Sequence, residues 1–353
     1  MTASANNLKE VREAIASLDA VRVRAGGTKS AASGDANLCI DGMAGVLQYE
    51  PSEYTFTALA GTRLAEVRKM LAEHGQFMPF DPPFVEAGGT LGGTVAMGLS
   101  GSGRFRFGGI RDFLLGVQLV THSGRVVFGG GKVVKNAAGF DIPKLMVGAR
   151  GNLGVMTELT LKVFPQPETY SSLLLSFESF VDATQSLQRL AKHPLDLACL
   201  DLDPLSNTVA IRLGGIATSV PDRIDRVRVL ASSNSNHCTA TVLNADEDAD
   251  YWTAVNEFKW LGADDRLVKV PITPSQMSHC EKRFAPFGKS IRRRYGIGGN
   301  VLWIGWPGNP TVELNSICSQ LGRSPLAVTG SWPDQLDGQA VNEFEKRITA
   351  VFA

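Results

Sequence analysis

Apolar residues recur at helical spacing near the start of the chain, where Leu8, Val11, Ala14, Ile15 and Leu18 predict a helix over 6–18. The alternating run VRVRA (21–25) then predicts a strand that stops at Gly26-Gly27. GVLQYE and YTFTALAG are two further strands joined by PSE. In TRLAEVRKMLAEHGQ the residues Leu64, Val67, Met70 and Leu71 form an apolar helical face, with Thr62 as the expected N-cap and Gly75 as the stop. From Phe77 to Arg111 the periodicity disappears. Pro79, Pro82 and Pro83 precede a glycine-rich stretch, and the segment reads as a long loop anchored by Val85, Leu91, Val95, Met97, Phe105 and Phe107. A hairpin follows, with strands 113–121 and 125–128 about Ser123-Gly124, then a short helix over 141–147 and a strand from Val155 to Phe164.

After Pro165 and Pro167 the texture changes. YSSLLLSF, LDLACLDL and NTVAIRLGG read as strands, while VDATQSLQRLAKH, VPDRIDRVRVLASS and DEDADYWTAVNEFKWL read as helices. This pattern predicts a small antiparallel sheet covered by helices. The chain is long for one core, at 353 residues. The expected division is a first domain over 1–167 and a smaller α+β domain over 168–353.

Composition narrows the chemistry. Lysine plus arginine and aspartate plus glutamate number 35 each, and this balance argues against a nucleic-acid partner. No apolar run reaches the roughly 18–20 residues that span a bilayer, and the polar N-terminus predicts no secretory signal, so a cytoplasmic location is expected. Cys39, Cys199, Cys238, Cys280 and Cys318 are widely separated, which predicts reduced thiols and neither a metal site nor an iron–sulfur motif. About half of the 37 glycines lie between Gly88 and Gly154. Glycine costs backbone entropy, so a concentration of this kind calls for a reason.

Three segments offer one. In RAGGTKS (Arg24–Ser30) a strand ends at two glycines followed by hydroxyls and Lys29, a pattern open to two readings: a plain turn or a nest of backbone N–H groups for an anion. It lacks the P-loop spacing. In GGTLGGTVAMGLSGSG (Gly88–Gly103) small residues leave the backbone bare enough for an extended ligand to lie on it. In KNAAGFDIPKLMVGARGNLGVMTELTL, Gly139, Gly148, Gly151 and Gly154 punctuate a helix and a strand, with Lys132, Lys135 and Arg150 adding positive charge.

In order and separation, these three segments resemble the FAD-binding domain (PCMH type, two α+β subdomains) of the vanillyl-alcohol oxidase/p-cresol methylhydroxylase flavoprotein superfamily, over residues 10–165. Within it, the run from Gly88 to Pro165 is most similar to the family of smaller FAD-binding subunits of bacterial glycolate oxidase/dehydrogenase. The resemblance implies a cofactor, FAD. It puts Gly26, Gly27, Thr28, Lys29 and Ser30 at the pyrophosphate. Gly88, Gly89, Thr90, Gly92, Gly93 and Thr94 are implied on the opposite side, Ser100, Gly101 and Arg104 toward the ribityl chain or flavin, and Gly154 and Val155 at the adenine half. Relatives that attach FAD covalently through the first loop carry a histidine where Thr28 stands, so non-covalent FAD is implied.

The larger catalytic subunits carry an H-x-G-D-G-N segment. His74, His122, His193, His237 and His279 are isolated here, and none sits in that pattern. No acid–base residue is assigned. Arg292, Arg293 and Arg294 form the basic cluster of the second domain, read either as a solvated or subunit-facing stripe or as a carboxylate site. The resemblance implies a subunit that works with a catalytic flavin subunit and an iron–sulfur subunit to oxidise glycolate, a 2-hydroxy acid, to glyoxylate, docked at the inner membrane through the complex if at all. A self-sufficient D-lactate-type 2-hydroxyacid dehydrogenase and a non-catalytic structural subunit remain open alternatives.

Overall fold

A computed structural model describes residues 2–33, 35–131, 140–232, 238–308 and 311–332. Lys132, Lys135 and Gly139, expected near the glycine-rich loops, lie outside the described residues. The described chain forms two compact units, one from 2–100 and 108–166, the other from 101–107 and from 167 onward.

The first unit has two layers of mixed structure. A small parallel sheet joins Ala3–Ser4, Leu38–Cys39 and Val23–Arg24, with Leu38–Cys39 in the middle. Helix Leu8–Ser17 begins at Asn7, whose side chain accepts from the Glu10 N–H, and buries Val11 and Ile15. The second layer is a five-stranded antiparallel sheet in the order Val46–Glu50, Thr55–Leu59, Val155–Lys162, Leu114–Val120, Val126–Gly130. Helix Leu64–Ala72 buries Leu64, Val67 and Leu71. Its start differs from expectation. Arg63 is the N-cap residue, and the Thr62 hydroxyl instead donates to the carbonyls of Leu59 and Gly45, tying the loop to the sheet.

The stretch read as a loop over 77–111 contains three helical segments, Leu91–Met97, Arg104–Phe107 and Ile110–Phe113. The first forms in spite of its two internal glycines. Thr90 caps it, with Oγ1 accepting from the Gly93 N–H at 3.3 Å, and Gly98 ends it in the left-handed region at φ 60°. Glycine is required at 92 because a Cβ there would lie 2.8 Å from the Ala60 carbonyl oxygen and 2.9 Å from the Ala60 Cβ. Close approach of helix to strand outweighs the helix propensity lost.

The second unit is built on an eight-stranded antiparallel sheet among the described residues, wider than the small sheet expected. Its order is Cys238–Leu243, Thr169–Phe177, Thr208–Gly215, Leu197–Asp203, Arg292–Gly296, Val301–Pro307, Asp265–Pro271, Leu326–Ala327. Helices Phe180–Lys192, Val220–Ser232, Met277–Phe284 and Thr311–Gln320 cover one face, where Leu187, Ile224, Phe284 and Leu314 meet Leu200, Ile211, Leu302 and Ile304. On the other face helix Ala245–Asn256 packs Trp252 and Val255 against Ala198, Cys199 and Ala210. Asp248 fastens this helix by accepting two bonds from Arg212, at 3.0 and 2.6 Å, and one from Ser172 at 2.6 Å.

Candidate functional site

The first unit holds a cavity that draws together all three glycine-rich segments. The strand Val23–Arg24 runs into it and delivers Ala25, Gly26, Gly27, Thr28 and Lys29 to one wall; Thr90, Gly92, Gly93, Ala96 and Met97 form a second; Arg150, Gly151, Gly154, Val155 and Met156 form a third. Arg24, Lys29 and Arg150 are cations, and among the described residues none that lines the cavity is acidic. That electrostatic bias suits an anionic ligand.

Lys29 is the buried cation of the three, at 6 % exposure. Its ammonium lies over the Phe84 ring, 5.4 Å from the centroid. It also lies 3.1 Å from where a Cβ on Gly89 would stand, and 3.9 Å from the equivalent point on Gly93. One side chain therefore links two loops about sixty residues apart in sequence. Gly27 has φ 69°, and a Cβ built on it meets no protein atom within 4 Å; the same holds for Gly151 at φ 86°. Both glycines present bare backbone to open space. The third wall is held to the helix Leu91–Met97 through Gly148 N–H to Val95 O at 2.9 Å and Arg150 N–H to Ala96 O at 3.0 Å. Arg150 adopts φ 52° there, a costly conformation for a residue with a Cβ and one that clusters at ligand sites.

Not every expected residue lies on these walls. Gly26, Gly27, Thr28, Lys29, Thr90, Gly92, Gly93, Gly154 and Val155 do. Gly88 and Gly89 turn to the protein: Arg63 donates to the Gly88 carbonyl at 2.5 Å, and the Leu64 N–H donates to Gly89 O at 2.9 Å. Thr94 is fully buried, its hydroxyl donating to Thr90 O, and Ser100 Oγ accepts from the Ile110 N–H. Ser30 begins the short helix Ser30–Ser33 outside the lining. Gly101 and Arg104 belong to the second unit, where Arg104 is exposed. Sequence reasoning missed Ile40, Ala96, Met97 and Met156. The last three follow from the helix Leu91–Met97 and from strand alternation after Val155; Ile40 carries no sequence signal.

The basic cluster of the second unit is not a solvated stripe. Arg293 and Arg294 are 6 % and 8 % exposed. Arg293 donates to both oxygens of Glu281, and the Tyr295 hydroxyl donates to the same carboxylate at 2.7 Å. Arg292, the exposed member, pairs with Asp265 at 3.1 Å. His122 sits at its hairpin turn, half-buried, with a ring nitrogen 3.3 Å from Asn152 O. Among the described residues no cluster of His, Cys, Asp and Glu could hold a metal ion.

A cationic, glycine-lined cavity fed by a short parallel sheet suits a protein that holds an anionic cofactor. Residues 2–130 match the family described as FAD binding domain, and the chain therefore carries a FAD-binding domain, of the PCMH type. Among curated proteins the chain is similar to glycolate oxidase subunit GlcE of Escherichia coli (strain K12), 39% identical over 176 residues, which are 50% of this chain and 49% of that protein. Glycolate oxidase subunit GlcD of Bacillus subtilis (strain 168) is 31% identical over 156 residues, 44% of this chain and 33% of that protein. Mitochondrial D-lactate dehydrogenase [cytochrome] 1 of Saccharomyces cerevisiae is 24% identical over 79% of this chain and 53% of its own length. The matched stretches thus span from a third to about half of these relatives. A solved structure of alkyldihydroxyacetonephosphate synthase shares the fold, with TM-score 0.72 over 99% of this chain and 73% of that one at 15% identity.

Proposed function

We propose that the chain is a non-covalent FAD subunit of a glycolate oxidase-type complex, acting beside a catalytic flavin subunit and an iron–sulfur subunit in the oxidation of a small 2-hydroxy acid, glycolate to glyoxylate. The observation that carries this reading is the cavity with Arg24, Lys29 and Arg150 on its walls, in a chain similar to a glycolate oxidase subunit. Those three cations, with the bare backbone at Gly27 and Gly151, would meet the diphosphate, and Thr28 offers no nucleophile of the kind that fixes a flavin covalently. Bound there, FAD would supply an electron carrier within the complex. Among the described residues no helix is long and apolar enough to cross a membrane, so any docking at the inner membrane would come through a partner.

The test is an absorption spectrum of the purified chain before and after acid precipitation. A flavin band at near-stoichiometric occupancy is expected, with all FAD in the acid supernatant. Flavin left on the denatured chain would falsify non-covalent binding, and a colourless protein would favour a purely structural subunit.

A second reading, a self-sufficient D-2-hydroxyacid dehydrogenase, draws on the D-lactate dehydrogenase whose similarity runs over 79% of the chain. Bleaching of the flavin by glycolate or D-lactate in the isolated chain would establish it. Bleaching only in the presence of the partner subunits supports the first.

A further inference from the structure

The second unit contains a smaller pocket, lined by Gly101, Ser102, Val255, Asn256, Phe258, Trp260, Arg294 and Trp303. Two of its donors are unspent. Arg294 Nε and Trp260 Nε1 are both buried and have no hydrogen-bond partner. Arg294 forms no ion pair among the described residues; one of its terminal nitrogens donates to the Tyr251 hydroxyl, and its guanidinium lies 5.4 Å from the Tyr251 ring centroid. The neighbouring carboxylate, Asp201, accepts from Ser102 Oγ at 2.5 Å and from the Ile297 N–H at 3.0 Å.

A guanidinium more than nine-tenths buried whose Nε–H has no acceptor is costly, and proteins rarely leave one so. The adjacent Arg293 shows the usual remedy, a carboxylate held by two bonds. At Arg294 the equivalent place is open pocket, walled by the Phe258 and Trp303 rings, which lie 5.0 Å apart. Arg294 and Lys269 each pair with Trp303, from the strands on either side of it, so the three share one face of the sheet, and a second cation reinforces the same field.

We propose that this pocket binds the carboxylate of a small acid, with Arg294 Nε–H and Trp260 Nε1–H donating to it. The proposal deepens the reading above and rests on it only in identifying the acid as a 2-hydroxy acid.

The test is calorimetric titration of the full FAD-loaded chain with glycolate, acetate and the neutral amide glycolamide. Saturable binding of both acids is expected, with the amide at least about tenfold weaker, as the loss of a charge-assisted bond predicts. Arg294→Met should reduce acid binding about tenfold or more, and Trp260→Phe should weaken it while leaving the charge. FAD content, read from the spectrum of each variant, should match the wild type. Failure of both acids to bind the wild-type chain, binding of glycolamide as tight as that of glycolate, or unchanged affinity in Arg294→Met would each overturn the proposal. The first two arms need no variant, so a folding defect in Arg294→Met leaves them decisive. Loss of FAD from the wild-type chain would count against the cofactor reading and leave the acid titration to stand by itself.

Discussion

At the scale of single residues, the glycines of the first unit divide into two kinds that look alike in sequence. Gly92 is required by the protein itself, because its missing side chain lets helix Leu91–Met97 meet the Ala60 backbone. Gly27 is required by conformation and faces open cavity. Substitutions should separate them. Gly92→Val should lower stability by about 1–3 kcal/mol or more, since strand and helix must part, and FAD would be lost only together with the fold. Gly27→Ala should cost about 1–2 kcal/mol for its left-handed backbone and reduce FAD retention in a chain that still melts cooperatively. Thermal melts read beside flavin absorbance decide the matter. Full FAD retention in Gly27→Ala, or loss of FAD from a Gly92→Val chain that still melts as the wild type does, would show that this division is mistaken. The segment RAGGTKS was legible as a ligand wall because strand, glycines and lysine are contiguous. The burial of Arg293 and Arg294 was not, because their partners Glu281 and Tyr251 lie 12 and 43 residues away.

At the scale of elements, periodicity found the helices with one clear apolar stripe and the strands of both hairpins. It failed over 91–97, where two glycines conceal a helix that tertiary contact maintains. The signal was present in Thr90 as cap, Leu91 and Val95 one turn apart, and Gly98 as terminator. Helix Ala245–Asn256 presents the opposite case. Its apolar stripe is narrow, and polar chemistry fixes it: Asp248 is 1 % exposed and accepts from Arg212 and Ser172, while Ser172 Oγ accepts from Trp252 Nε1 at 2.7 Å. Replacing one partner of such a buried pair strands the other's charge. Asp248→Ala should therefore destabilise by about 3–5 kcal/mol. Trp252 should become accessible to a fluorescence quencher below the global transition, as the helix lifts from the sheet. Quenching that tracks the global transition alone would mean that the helix does not open separately.

At the scale of the whole molecule, each unit has its own core and its own pocket, and the two pockets differ in how far sequence could show them. The first is built from three contiguous, glycine-marked segments. The second draws its lining from 101–102, 255–260, 294 and 303, single positions whose convergence only the sheet order reveals. The charge gathered on that sheet should also mark the pH dependence of stability. Burial, aided by the positive charge of Arg104, pushes the Lys269 ammonium down to about 8. The unfolded chain, with lysine near its ordinary value of about 10.4, binds the additional proton from pH 8 to about 10.4, so this residue makes stability rise with pH across that window. Burial has the reverse effect on the Cys280 and Cys318 thiols, raised to about 11 and about 12 with further contributions from Glu281 and Cys280 respectively, and their contribution falls as pH climbs through those values. The thiols are common to the wild type and Lys269→Met, so the difference between the two isolates the lysine. Denaturant melts should show Lys269→Met gaining on the wild type below pH 8 and losing that advantage steadily toward pH 10. A constant difference across the range would mean that the lysine titrates in the folded protein as it does in the unfolded chain.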